Sequence, residues 1–174
     1  MLRDKNLIPL SHQHQRALAL CVRIDRAQPI PEHDLDAWQR EIEQQYQEEV
    51  ESHFAVEERA VFPAARPFPE LIPLVEELLS DHRSLGAVFF QARSRHLSSE
   101  GLSDFAKQLS GHIRKEERQL FERLQELLDS EQLAVIGSAL GEALKDNIHA
   151  CNLANGTTQL RGAKPALPET ESRK

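Results

Sequence analysis

The chain has 174 residues, which is long enough for one domain with a substantial core. Charged residues make up 28% and hydrophobic residues 40%, as in an ordinary soluble protein, and only seven glycines leave little material for a turn-rich β fold. The net charge of −7, without a basic stripe, argues against a nucleic acid partner. The chain also lacks an apolar run long enough for a signal peptide or a membrane span, so we expect a cytoplasmic protein with no membrane partner.

Apolar residues recur at helical spacing in four long segments, which are separated by prolines or by short polar stretches. The polar stretch SSEGLS, residues 98–103, is predicted to be the loop before the fourth segment. Four long helices joined by short breaks predict an all-α fold, an up-down-up-down four-helix bundle over residues 7–128. The predicted helices cover about residues 11–27, 31–63, 73–89 and 104–128.

A fifth amphipathic helix is predicted over residues 131–150, after the bundle. Its apolar face must be buried either on the bundle or on a second copy of the chain, so a monomer and a homodimer both remain open. Residues 152–174 are polar and show no period, which predicts a disordered tail. The residues of the apolar face are Leu133, Ile136, Leu140 and Leu144.

One pattern, H-x-x-x-E-E-R-x-x-F, occurs twice: as HFAVEERAVF at 53–62 and as HIRKEERQLF at 112–121. On a helix, a His and a Glu four residues apart point in nearly the same direction. Both pairs, His53–Glu57 and His112–Glu116, are in register with the apolar stripe of their helix and should face the bundle interior. An unpaired carboxylate and imidazole are expensive to bury, so a further partner is needed.

His14 and His82 lie on the otherwise apolar faces of the first and third helices. Each half of the bundle therefore contributes one such His and one His-x-x-x-Glu pair. Because the second and fourth helices run in the same direction, a pseudo-two-fold axis would bring four imidazoles and two carboxylates to one level. This set suits two first-row metal ions such as iron, manganese or zinc, and it predicts a dinuclear site. The predicted metal ligands are His14, His53, Glu57, His82, His112 and Glu116.

Four motifs in chain order, LSHQH, HFAVEERAVFP, SDHRSL and HIRKEERQLF, resemble those of the hemerythrin-like, or HHE cation-binding, family of four-helix bundles. The resemblance implies two iron ions, Fe²⁺ or Fe³⁺, with oxo or hydroxo and carboxylate bridges; zinc or manganese could substitute. It assigns His14 and His53 to one iron and His82 and His112 to the other, with Glu57 and Glu116 as bridges.

Two departures from the oxygen-carrying members of that family limit what the resemblance implies. Those carriers have a second His one turn after the third-helix His, where this chain has Gly86, so one iron would keep an open position. Their last bridge is an Asp five residues after the fourth-helix His, whereas here Glu116 stands at four residues and Glu117 at five. Helix geometry favours Glu116, although a distorted turn could bring in Glu117.

Three functions remain open. The preferred one is a non-haem di-iron protein that binds or senses oxygen, redox state or iron, with O₂, peroxide or NO as the small ligand. The second is a di-iron oxidoreductase that acts on peroxide or nitric oxide, and the third is a metal-free helical interaction module. Binding or sensing is favoured over enzymatic turnover, and no catalytic residue is assigned.

The remaining polar residues are given lesser roles. Glu49, one turn before His53, is a candidate hydrogen-bond partner of a ligand, and Tyr46 is expected to pack. Residues expected on the surface, as solvated groups or in salt bridges, are His12, His33, His96, His149, Glu58, Arg59, Glu117 and Arg118. Cys21 and Cys151 fit no metal spacing and are expected to be free thiols.

Overall fold

The structure, a computed structural model, describes residues 2–155, with side chains up to residue 143, and all regular secondary structure in this range is helical. Helix α1 is Ile8–Arg26, α3 is Ile72–Arg93 and α5 is Ser130–Asn155. Two further helices, α2 and α4, each join several segments without a break. The segments of α2 are Leu35–Gln45, Tyr46–Val50, Glu51–Val56, Glu57–Val61 and Phe62–Ala65; those of α4 are Ser99–Lys115, Glu116–Leu120 and Phe121–Leu127.

Helices α1 to α4 form the predicted helical bundle, with α5 as the extra helix. Short 3₁₀ turns at Glu32–Asp34 and Pro69–Leu71 lead into α2 and α3. Helix α1 packs along α4, and α3 packs between α2 and α4. No helix among the described residues has the length and apolar content needed to cross a membrane.

The core consists of two apolar clusters that lie on either side of one polar layer. One cluster includes Leu20, Ile24, Phe89 and Phe105. The other includes Leu10, Val61, Phe62, Phe121 and Leu133. On every helix of the bundle a His occupies the turn between the two clusters, so apolar packing fixes the height at which the polar side chains meet.

The predicted loop at residues 98–103 is wrong, because Ser98 caps a helix that begins at Ser99. The Ser98 Oγ atom accepts a hydrogen bond from the Gly101 N–H at 3.1 Å. The polar sequence around Ser98, Glu100 and Gly101 is typical of a loop. The side chain of Ser98, however, accepts from an N–H of the first helical turn that has no partner within the helix. The chain instead reverses direction at residues 94–98.

Helix α2 also continues past Pro63, where the sequence predicted its end. The turn before the proline is widened: the Phe62 N–H bonds to the Glu57 carbonyl, five residues back. Proline cannot donate to the ladder and crowds the carbonyl four residues earlier. Because the regular spacing is already interrupted at this turn, the helix tolerates Pro63 and ends at Ala65.

The apolar face of helix α5 packs against the bundle of its own chain. Leu133, Ile136 and Leu140 are buried against the cluster that contains Leu10 and Phe62. The helix extends to Asn155, beyond the predicted end at residue 150, and neither Gly nor Pro occurs between Gly141 and Gly156. The side chains of Leu144, His149 and Cys151, and the predicted tail from residue 156 onwards, lie outside the described residues.

The packing of α5 can be tested with two neighbouring residues. Ile136 is 1% exposed and Val135 is 69% exposed. Ile136→Ala should lower the free energy of unfolding by about 2–5 kcal/mol, because it leaves a cavity between α5 and the bundle. Val135→Ala should change it by no more than about 0.5 kcal/mol. Urea unfolding measures both values, and equal effects would show that α5 does not pack on the bundle.

Candidate metal centre

The six predicted metal ligands meet in the middle of the bundle. They come from all four bundle helices, and each is at most 6% exposed. His14 lies on α1, His82 on α3, and the two His-x-x-x-Glu pairs lie on α2 and α4. The residues are His14, His53, Glu57, His82, His112 and Glu116.

These side chains form two groups of four that share both carboxylates. One group contains His14 and His53 and the other contains His82 and His112, and Glu57 and Glu116 belong to both. Within each group the four nearest ligand atoms lie within 4.8 Å of one another. Within these groups, the shortest contacts between an imidazole and a carboxylate are His53 Nε2–Glu57 Oε1 and His14 Nε2–Glu116 Oε2 at 3.2 Å, His112 Nε2–Glu116 Oε2 at 3.3 Å, and His82 Nε2–Glu57 Oε2 at 3.4 Å. Each carboxylate is therefore placed to bridge two cation positions.

The centre of this cluster needs a cation. Among the described residues, no hydrogen-bond partner reaches either oxygen of Glu57 or Glu116, or the Nε2 atoms of His82 and His112. Both carboxylates are fully buried. A buried carboxylate without hydrogen bonds is costly, and a metal ion removes that cost by taking the oxygens and imidazole nitrogens as ligands. The donor set therefore fits a metal centre.

A widened turn begins at each of the two carboxylates. The Phe62 N–H bonds to the Glu57 carbonyl and the Phe121 N–H bonds to the Glu116 carbonyl, so both ladders step five residues instead of four. Such π turns are frequent at functional sites. The two π turns occur at the same place in the two copies of the repeat. In both copies the first Glu faces the centre of the cluster, and the second Glu contacts a histidine of another helix.

Each of the four histidines is held by a hydrogen bond on the side away from the centre. Carboxylate and amide oxygens only accept, so each Nδ1 donates and each Nε2 atom faces the cluster. The Nδ1 atom of His14 donates to Glu117 (2.7 Å), that of His53 to Gln13 (2.8 Å), that of His82 to Glu58 (2.8 Å) and that of His112 to Asp81 (3.4 Å). The protein thus fixes the orientation that metal binding requires.

Glu58 and Glu117 were predicted to be solvated or in salt bridges between helices, and both form such pairs: Glu58 with His82, and Glu117 with Arg3 and His14. That these pairs orient ligand histidines was not predicted from the sequence. Gln13 and Asp81 were not singled out, although each directly precedes a predicted ligand, His14 or His82, and this shared position was a usable signal.

The other sequence predictions have mixed outcomes. Glu49 accepts from Arg16 at 2.6 Å, and Gln13 is the residue that holds His53. Tyr46 packs on Phe89 with ring centroids 4.3 Å apart, as predicted. The side chains that are exposed as expected are His12, His33, His96, Arg59 and Arg118. Cys21 is a buried free thiol, as expected.

In the metal-free protein, protons occupy part of the cluster. Burial alone would lower the pKa of His14, but the negative charges of Glu116 and Glu117 beside the ring outweigh burial and raise that pKa from 6.5 to about 10. Burial would also lower the pKa of His82, yet the contact with Glu57 raises it. Burial would raise the pKa of the Glu57 carboxyl, but its histidine neighbours bring it well below its usual range. Metal binding must therefore displace the His14 proton.

A small apolar cavity adjoins the cluster on one side. Its volume is about 20 Å³, and the residues that line it include His14, His53 and His112. Its apolar walls are Ala17, Val50, Phe54, Leu109 and Ile113. Gly86 lines a surface groove beside Tyr46 and Phe89 and does not line this cavity. Free space next to the cluster thus lies on the side of α1, α2 and α4.

A bundle whose helices deliver four imidazoles and two shared carboxylates to its centre belongs to the class of four-helix metal-binding proteins. The family model of the hemerythrin HHE cation-binding domain matches residues 9–124, and the chain belongs to this family. Neither the curated proteins nor the solved structures include a significant match to the chain. The family and the buried cluster together indicate metal binding.

The pKa shifts predict a stability optimum for the metal-free protein. The raised pKa of His14 gives a stabilisation that is complete below pH 6.5 and is lost as the pH rises toward 10. Burial would raise the pKa of Glu117, but the hydrogen bond from His14 lowers it from 4.5 to about 2, so its stabilisation is lost as the pH falls from 4.5 toward 2. Urea unfolding in chelator should therefore show greatest stability between about pH 4.5 and 6.5.

The matched variant for this measurement is Glu117→Gln, which keeps an acceptor for the His14 Nδ1 hydrogen and removes the negative charge. It should flatten both sides of the pH profile, because the pair depends on both charges. A wild-type profile that stays level from pH 6.5 to 10 would show that His14 is not protonated in the folded metal-free protein.

Proposed function

We propose that this protein is a non-haem di-iron protein that binds or senses a small ligand such as O₂ or NO. The observation that carries the proposal is the sharing of Glu57 and Glu116 by two histidine pairs, with all four carboxylate oxygens lacking hydrogen-bond partners among the described residues. His14 and His53 would hold one iron, and His82 and His112 the other. Both carboxylates would bridge the two ions.

The donor chemistry is compatible with iron. Imidazole with carboxylate suits iron, manganese or zinc, whereas copper(I) prefers sulfur ligands and calcium prefers oxygen alone. Cys21, the cysteine whose side chain the structure describes, belongs to the apolar cluster around Leu20 and Ile24 and contributes no ligand. Bound iron would supply a pair of adjacent redox-active centres that can take small ligands of the kind proposed.

The protein residues around the cluster supply orientation and exclusion of water. The four outer hydrogen bonds keep every Nε2 atom facing inward. The cavity beside the cluster has room for a molecule of about the size of water, since about 10–15 Å³ suffices for one water. Its apolar walls favour a small uncharged ligand and exclude larger substrates.

The same surroundings favour ligand binding over turnover. An enzyme acting on peroxide or nitric oxide needs an electron donor beside the metals. Among the residues that the structure describes, no tyrosine, tryptophan or cysteine lines the cavity. Tyr46 packs on Phe89, and Trp38 contacts Arg23. A metal-free interaction module is disfavoured because it gives no role to two fully buried carboxylates that, in the described part of the chain, have only imidazoles beside them.

Metal content tests the proposal directly. The protein purified without added metal or chelator should contain about two irons per chain by mass spectrometry, because two ligand groups are present. The double variant His53→Ala with Glu116→Ala should lose both, since Glu116 belongs to both groups.

The matched control is His96→Ala, which removes an exposed histidine outside the bundle centre. It should retain the wild-type metal content. Absence of iron from the wild-type protein, even after anaerobic loading with ferrous salt, would overturn the di-iron proposal. The metal-free interaction module would then be the better explanation.

The cavity makes a second prediction. Val50→Ile adds one methylene to a wall of a cavity of about 20 Å³ and should leave little space for a ligand. We expect the affinity of the iron-loaded protein for nitric oxide to fall about tenfold, which corresponds to about 1.4 kcal/mol. Spectroscopic titration of the ferrous protein with nitric oxide measures this change.

The control for the cavity is Val88→Ile, a partly buried residue that packs against the core and does not line the cavity. Its nitric oxide affinity should match the wild type, and iron content should be unchanged in both variants. Equal affinities in all three proteins would show that the ligand binds elsewhere.

A further inference from the structure

The two halves of the metal centre differ at one pair of equivalent positions. Gln13 and Asp81 each precede a ligand histidine, and each accepts the Nδ1 hydrogen of the ligand histidine on the next helix: Gln13 from His53, and Asp81 from His112. One of these acceptors is a neutral amide and the other is a carboxylate.

At the other pair of equivalent positions the halves agree. Glu117 accepts from His14 and Glu58 accepts from His82, at 2.7 and 2.8 Å. Both partners are carboxylates, so this pair does not distinguish the two metal positions. The chemical difference between the halves therefore lies at Gln13 and Asp81.

The charges that touch these partners do not cancel the difference. Arg3 pairs with Glu117 at 2.6 Å, which places one cation next to the His14 and His53 half. Lys115 pairs with Asp81, and with Glu77 at 2.7 Å, which places one cation next to the other half. Among the outer partners and their cations, the half around His82 and His112 thus carries one more negative charge.

A carboxylate on Nδ1 makes an imidazole a stronger metal ligand than an amide does. It raises the basicity of the ring and stabilises the positive charge that the bound metal places on the imidazole. An amide oxygen fixes the orientation of the ring but contributes no opposite charge. His82 and His112 both have carboxylate partners, whereas His53 has only the amide of Gln13.

We propose that the two metal positions are inequivalent, that the first ion binds between His82 and His112, and that Asp81 and Gln13 are the positioning residues that set this order. This inference rests on the proposed dinuclear centre. The tighter site then lies between α3 and α4, and the weaker site lies between α1 and α2.

Stepwise titration with zinc tests the order, because zinc is diamagnetic and needs no redox control. The metal-free full chain, labelled with ¹⁵N at histidine, is titrated with Zn²⁺ and followed by nuclear magnetic resonance. At one equivalent, the Nε2 resonances of His82 and His112 should shift, and those of His14 and His53 should shift only with the second equivalent. The affinity of each step is measured by competition with a chelator.

Two substitutions should change the order in opposite directions. Asp81→Asn removes the negative charge of the partner of His112 and should weaken the first step about 10- to 100-fold, the range found when a partner of a metal-bound histidine is mutated. Gln13→Glu should strengthen binding at His14 and His53, and the double variant should load that half first. If Gln13→Glu does not fold, the wild type and Asp81→Asn still decide the order.

Glu77→Gln is the matched control, because Glu77 pairs with Lys115 but does not contact a histidine. It should leave the loading order unchanged. Two equivalents bound simultaneously, or His14 and His53 loaded first in the wild type, would overturn this inference while leaving the dinuclear centre intact. Failure to bind zinc or iron at all would overturn the dinuclear centre as well.

Discussion

Two buried carboxylates without hydrogen-bond partners among the described residues are the constraint on which the rest of this structure depends. Glu57 and Glu116 lie between two apolar clusters, where water cannot solvate them. Such groups are tolerated only when cations compensate them. The four inward-facing imidazoles, and the protons or metal ions that they hold, provide that compensation. Metal binding to the folded state then adds directly to its stability.

The repeated sequence pattern corresponds to a repeated arrangement in space. In each copy, the first Glu faces the centre, the second Glu binds a histidine of another helix, and the final Phe lies against that same histidine. Phe62 lies 5.3 Å from the His82 ring, and Phe121 stacks at 5.6 Å from the His14 ring. The widened turn between Glu and Phe lets one helix place all three side chains around the cluster. Two copies thus build a centre that neither could close alone.

Helical periodicity was enough to predict the bundle. The positions of His14, His53, His82 and His112 within the apolar stripes were enough to predict that their side chains meet in its centre. The choice of Glu116 over Glu117 also followed from helix geometry, because only Glu116 shares the face of His112. The roles of Glu58 and Glu117 could not be predicted in this way, since they depend on the widened turns and on contacts between helices. The cap at Ser98 and the passage of α2 through Pro63 likewise depend on hydrogen bonds that apolar periodicity does not report.

The fifth helix accounts for the difference between Gln13 and Asp81. Leu140 and Ala143 of α5 lie over Gln13 and His53, around a cavity of about 10 Å³. A carboxylate in place of Gln13 would be buried beneath these apolar side chains, whereas Asp81 is partly exposed and pairs with Lys115. The neutral amide of Gln13 avoids burying a further anion on this covered side. By covering one half of a nearly symmetric cluster, α5 gives the two halves different surroundings.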